Sequence, residues 1–192
     1  SFSCWFFYLF WKFERVIASA LGMKSIPSFP FVDEQSFGAY IGLFVIAIVG
    51  SRQHLGEVIT KILNKNSEID DSSEPLSYRA MIIMMVGCII CIASFCKALG
   101  MSLWVILPFF IIYYAISTAV TRMRAELGSP VHDLHFIGPD EMMPKMFGTR
   151  LLGAQNLTML AYLFFCNRAY RGHPMPHQLE GFKLAERTNI NN

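Results

Sequence analysis

The chain has 192 residues, 54% of them hydrophobic and 16% charged, with a mean hydropathy of +0.41. A soluble domain carries roughly 25% charged residues. Here the charges gather in a few stretches between uncharged tracts, the pattern of membrane spans. The formal net charge is only +2 and no run of Lys and Arg interleaves with aromatics, which excludes nucleic acid as a partner.

Residues 1–11 are almost all aromatic or aliphatic and too few to cross a bilayer, which takes about 20. They read as the end of a span, and a chain opening without Met on Phe2, Trp5, Phe6, Phe7 and Tyr8 reads as a fragment. Trp5, Tyr8 and Trp11 suit a membrane–water interface. No signal-peptide pattern is present. Gly22 is expected to stop the helix, and Pro27 and Pro30 to extend the connection.

The first span is predicted over residues 36–51, with no charge between Glu34 and Arg52. Gly38 and Gly42 form a small-x-x-x-small pair that suits close helix packing. Leu55, Val58, Ile59 and Ile62 keep a helical period to about Leu63. The rest of the 52–78 stretch is a polar loop whose acidic pair, Asp70 and Asp71, is read as solvated rather than metal-binding. The second span is predicted over 79–95 and the third over 102–121, joined by a tight turn at Leu99, Gly100 and Met101. Pro108 lies inside the third, where a kink is tolerated in membrane helices.

Residues 122–150 form a second polar loop, broken by Gly128, Pro130, Gly138, Pro139 and Pro144. A fourth apolar tract, 151–166, is just long enough to cross, and is also readable as tilted, re-entrant or broken. Arg52, Lys61, Lys65 and Arg79 on one loop, with Arg122, Arg124, Lys145 and Arg150 on the other, place both loops on the cytoplasmic side. The hairpin turn opposite has only Lys97. If the fourth tract crosses, Arg168 and Arg171 fall outside, against that rule.

The five cysteines read as small apolar helix residues. Cys88 and Cys91 have C-x-x-C spacing, but lie in an apolar tract that disfavours a reactive thiolate. Asn156-Leu-Thr158 matches a glycosylation sequon inside an apolar tract, where modification is not expected. No nucleophile elbow, Walker loop, dinucleotide fingerprint or H-E-x-x-H occurs, and no cofactor, catalytic residue or resident metal is assigned.

The densest polar run follows the third span: Arg122, Arg124, Glu126, His132, Asp133 and His135. Arg122 and Glu126 are four apart and pair on a continuing helix. The plain reading is a basic anchor ending in a Gly/Pro stop. The sharper one is a broken helix whose ends line a polar cavity for substrate or coupling ions. His173, His177, Glu180 and Lys183 form a second polar element. A metal held by the histidines is the rival reading. Two prolines between His173 and His177 exclude the helical i, i+4 pair of helix-borne zinc motifs.

The run Ser117 to Asp140, with Glu34-Gln-Ser-Phe-Gly38 and Asn167 to Ala185, resembles a family of uncharacterised bacterial multi-span membrane proteins along nearly the whole chain. Arg124-Ala-Glu126-Leu-Gly128-Ser-Pro130, and more loosely Glu180-Gly-Phe-Lys183, are similar to segments of the oligopeptide transporter family. That resemblance implies movement of peptides or metal chelates, coupled to protons, and further spans on either side of this fragment.

The expectation is therefore an all-α, polytopic membrane domain with about four spans, an interfacial helix and polar loops, in the inner (plasma) membrane. It would be part of a secondary transporter whose partners are the bilayer, its own missing spans, a small-molecule or peptide substrate and further copies in an oligomer. The ten polar residues of the two elements would bind substrate or ion. The alternatives are a membrane-embedded metalloenzyme and a non-catalytic subunit of a membrane complex.

Overall fold

The computed structural model describes residues 2–23, 28–64, 76–128, 138–168, 170 and 172–188. The described residues form α1 (Phe2–Ala20), α2 (Val32–Gly50), α3 (Arg52–Leu63), α4 (Tyr78–Ala98), α5 (Leu103–Leu127), α6 (Pro139–Phe147), α7 (Thr149–Tyr162), α8 (Phe164–Asn167) and α9 (Pro174–Thr188). Two compact units divide within α2, Ser1–Ala39 and Tyr40–Asn192.

In the first unit, the aromatic start and the later apolar residues join in one helix, α1, which ends before Gly22 at φ 72°. Lys12 Nζ lies 4.6 Å from the Trp11 ring centroid and Arg15 lies 5.3 Å from it. Cations snorkelling beside aromatic rings suit an interface. Gln35 Nε2 donates to the Pro30 carbonyl at 2.8 Å, tying the start of α2 to the preceding turn.

In the second unit, α3 packs on α4, α4 on α5, α5 on α6 and α9, and α6 on α7 and α8. Three helices are long and apolar enough to cross a membrane: α2, α4 and α5. Helix α4 contains the tract predicted over 79–95, while α2 and α5 match those predicted over 36–51 and 102–121 but for one residue each, at 51 and at 102, and run further at the other end. Helix α5 runs six residues beyond the predicted end and stops at Gly128, whose φ of 64° suits a residue without Cβ. Most of α4 is exposed apolar surface, while α5 carries the core.

The α4–α5 turn is a Schellman motif. Met101 N–H donates to Cys96 O at 3.0 Å and Gly100 N–H to Lys97 O at 2.9 Å, with Gly100 at φ 90°. Cys96 and Met101 are each 1% exposed and join Val105, Ile106, Phe109, Met143, Leu152 and Leu160 in one cluster. The hydroxyls of α5 bond back along their own helix: Ser117 to the Tyr113 carbonyl, Thr118 to Tyr114 and Thr121 to Ser117. Polar groups on an apolar helix are thereby satisfied without water.

The tract at 151–166 is divided. Gly153 in α7 has φ 74° and ψ 160°, a region essentially reserved for glycine, and a second break falls at Leu163. The nine residues from Ala154 to Tyr162 rise only about 14 Å, under half a bilayer core. Helix α9 is a further addition to the sequence reading, which gave the tail only as a second polar element. Its two prolines occupy the first turn, where a missing N–H loses no intrahelical bond.

Candidate functional site

The contacts along α5 give the chain after it a definite course. Its first turn meets Phe147, at a Trp104–Phe147 centroid distance of 6.0 Å, and Asn156. Asn156 Oδ1 accepts from Ser102 N–H at 2.9 Å, while its Nδ2 donates to the Leu152 carbonyl at 2.8 Å. The sequon asparagine is thus a buried clamp on the α4–α5 turn. Half-way along α5, Tyr113 stacks on Tyr170 at 5.6 Å, and Tyr170 stacks on His173 at 5.9 Å. At the far end Arg124 grips Glu180 of α9 with two hydrogen bonds, Nε to Oε1 at 2.5 Å and Nη2 to Oε2 at 2.9 Å. The segment α6–α9 therefore approaches the start of α5 and returns to its end.

Tyr113 is ten residues beyond Leu103, roughly 15 Å along the 25-residue α5. A polar group collects beside it. Asn167 Nδ2 donates to Asp140 Oδ1 at 3.0 Å. Asn167 is 3% exposed, Tyr170 2% and His173 9%. Burial pushes the Tyr170 phenol up, helped by Tyr113, Asp140 and Cys166 nearby. Burial likewise raises the Asp140 carboxyl, opposed by backbone N–H groups and Asn167.

The sequence-predicted site residues divide into five groups. His132, Asp133 and His135 lie outside the described residues. Arg122 and Glu126 form the expected i, i+4 pair at 2.6 Å, on exposed surface. Arg124 and Glu180 come together from two helices, and the Arg124 side chain is only 9% exposed. Lys183 pairs along its own helix with Glu186 at 2.6 Å.

His173 and His177 are apart in role. His177 is exposed on α9. His173 sits just before it, its Nδ1 accepting from Met175 N–H at 3.2 Å as a helix cap. Among the described residues, no group of three His, Cys, Asp or Glu side chains is arranged to hold a metal. His173→Ala is expected to cost about 1 kcal/mol through the lost cap, with Asn restoring much of it. Reversible unfolding in mixed micelles reads this.

Sequence reasoning missed Asp140, Asn167, Tyr170 and Tyr113. The one local signal was Gly138-Pro139-Asp140, which reads as a helix start with an acid in the first turn.

The described residues are all-α, with three helices long and apolar enough to cross a bilayer, which makes this a helical membrane protein. It belongs to the Family of unknown function (DUF6785), whose match covers residues 1–192. No curated protein and no solved structure matches the chain.

Proposed function

We propose that this chain is part of a multi-pass secondary transporter of the plasma membrane, similar to oligopeptide and metal-chelate transporters and coupled to protons. In this reading α6–α9 is a re-entrant element that enters and leaves on the cytoplasmic side. The fourth apolar tract then does not cross. Lys183, on α9 three residues beyond the Glu180 that meets the end of α5, falls on the side the positive-inside rule prefers.

The observation that carries the reading is the polar group at the middle of α5, held by a broken helix. Helices interrupted at membrane depth are tolerated where their irregular backbone lines a cavity or is buried in protein, and transporters build sites from them. The Arg124–Glu180 pair supports it too, because it joins the two segments that carry the oligopeptide-transporter resemblance. Arg124 would then set the angle of the re-entrant element.

The test is uptake by the full-length protein in proteoliposomes under an imposed pH gradient, with a panel of short peptides and metal chelates. Gradient-dependent uptake, reduced several-fold by Arg124→Ala, is expected. No uptake of any member, or uptake indifferent to both the gradient and Arg124, contradicts the proposal.

A further inference from the structure

We propose that Asp140 and Asn167 form a proton-binding site beside the middle of α5, in which Asp140 takes up a proton and the Asn167 amide turns to follow it. Three observations carry this. The carboxylate accepts from Asn167 Nδ2 at 3.0 Å. Asn167 is 97% buried, and its Oδ1 has no hydrogen-bond partner among the described residues. No ion pair among the described residues includes Asp140.

The chemistry balances. A hydronium ion gives its proton to one Asp140 oxygen, forming an O–H bond and leaving water. A half-turn of the Asn167 amide then presents Oδ1 to the new O–H, and Nδ2 takes the former place of Oδ1. One N–H···O⁻ bond is exchanged for one O–H···O bond, so the pair holds either state with the same atoms. Loss of the proton to water reverses both movements.

Burial favours the neutral form, against the backbone N–H groups of Asp140 and Glu141 and the Asn167 amide, which favour the ionised one. The titratable group that feels Asp140 is Tyr170, which in turn stacks on Tyr113 of α5 and on His173 before α9 and lies near Cys166 of α8. The tyrosines and the cysteine are neutral when protonated, and His173 Nδ1 carries no proton where it accepts from Met175 N–H. Glu141 and Lys145 on α6, Arg150 on α7 and Arg168 after α8 are exposed. No ion pair among the described residues adds to those hydrogen bonds, so burial outweighs them and raises the Asp140 carboxyl. Use of the proton to drive transport rests on the proposed function; proton binding itself does not.

Difference infrared titration of the purified full-length protein tests the site. A protonated-carboxyl band is expected to persist above the ordinary carboxylate range and to vanish in Asp140→Asn. Asn167→Leu removes a bond that favours the ionised form, so the same band is expected to persist to still higher pH. It covers the case in which Asp140→Asn fails to fold.

Thermal stability gives a second reading. The folded-state pKa lies above the unfolded one, so this group's contribution is present at low pH and lost as pH rises through the folded value. Asp140→Asn should flatten that slope. A wild-type carboxyl spectrum that titrates wholly in the ordinary range overturns the site. So does a band unmoved by Asn167→Leu, or one displaced by added sodium. A persistent band in a protein that transports nothing would uphold the site and count against the transport reading alone.

Discussion

Arg124→Ala and Glu180→Ala each destabilise the second unit by about 2 kcal/mol, and the double variant costs little more than either. The reason is geometric. The guanidinium is nearly enclosed and offers two donors in a fixed fork, which the Glu180 carboxylate accepts with both oxygens. Hydrogen bonds to charged groups contribute about 1.5–3 kcal/mol, but Glu180 is 53% exposed, so solvent screening trims the value. Both residues also make other contacts, which single variants disturb. The double-mutant cycle isolates the pair, and a coupling of roughly 1.5 kcal/mol is expected. Arg124→Lys keeps the charge but loses the fork, so it restores only part of the loss. Unfolding in mixed micelles measures the wild type and all four variants. Additive single effects would show that α9 is held elsewhere.

Gly153→Ala is expected to cost about 1–3 kcal/mol, although an added Cβ would meet nothing within 4 Å. The penalty is wholly conformational, because φ 74° and ψ 160° is a backbone shape that residues with a Cβ avoid. Valine at this position, branched at Cβ, should be worse still. Gly87→Ala is the control. Gly87 sits inside α4 with equally open surroundings, and there alanine is expected to stabilise by about 0.5–1 kcal/mol. If both substitutions behave alike, the break in α7 is not built into the fold.

The helices of this chain were legible because their causes are local. Uncharged runs marked α2, α4 and α5, Gly128 marked the end of α5, and the spacing of Arg122 and Glu126 marked their pair. The site was legible only in pieces. Arg124 and Glu180 were both picked out, but nothing local says that residues 56 apart meet. Asp140 and Asn167 are 27 apart, and each looks ordinary alone, one in a polar loop and one at the edge of an apolar tract. A broken tract was among the readings of 151–166, but the place of the break, Gly153, was hidden because the tract is apolar on both sides and hydropathy does not register backbone conformation. Helix α9 was hidden for the opposite reason. Its prolines read as breakers, yet in a first turn they are starters.

The central claim is that three helices cross and that the chain after the last one folds back along it. Single cysteines in a cysteine-free full-length protein, labelled from each side of the membrane with an impermeant maleimide, test it most directly. Asn64, Leu127 and Lys183 are expected to label from one face and Leu99 from the other. Lys183 labelling from the face opposite Leu127 would mean that the fourth tract crosses, and Leu99 labelling beside Leu127 would mean that α5 does not; either result contradicts the account.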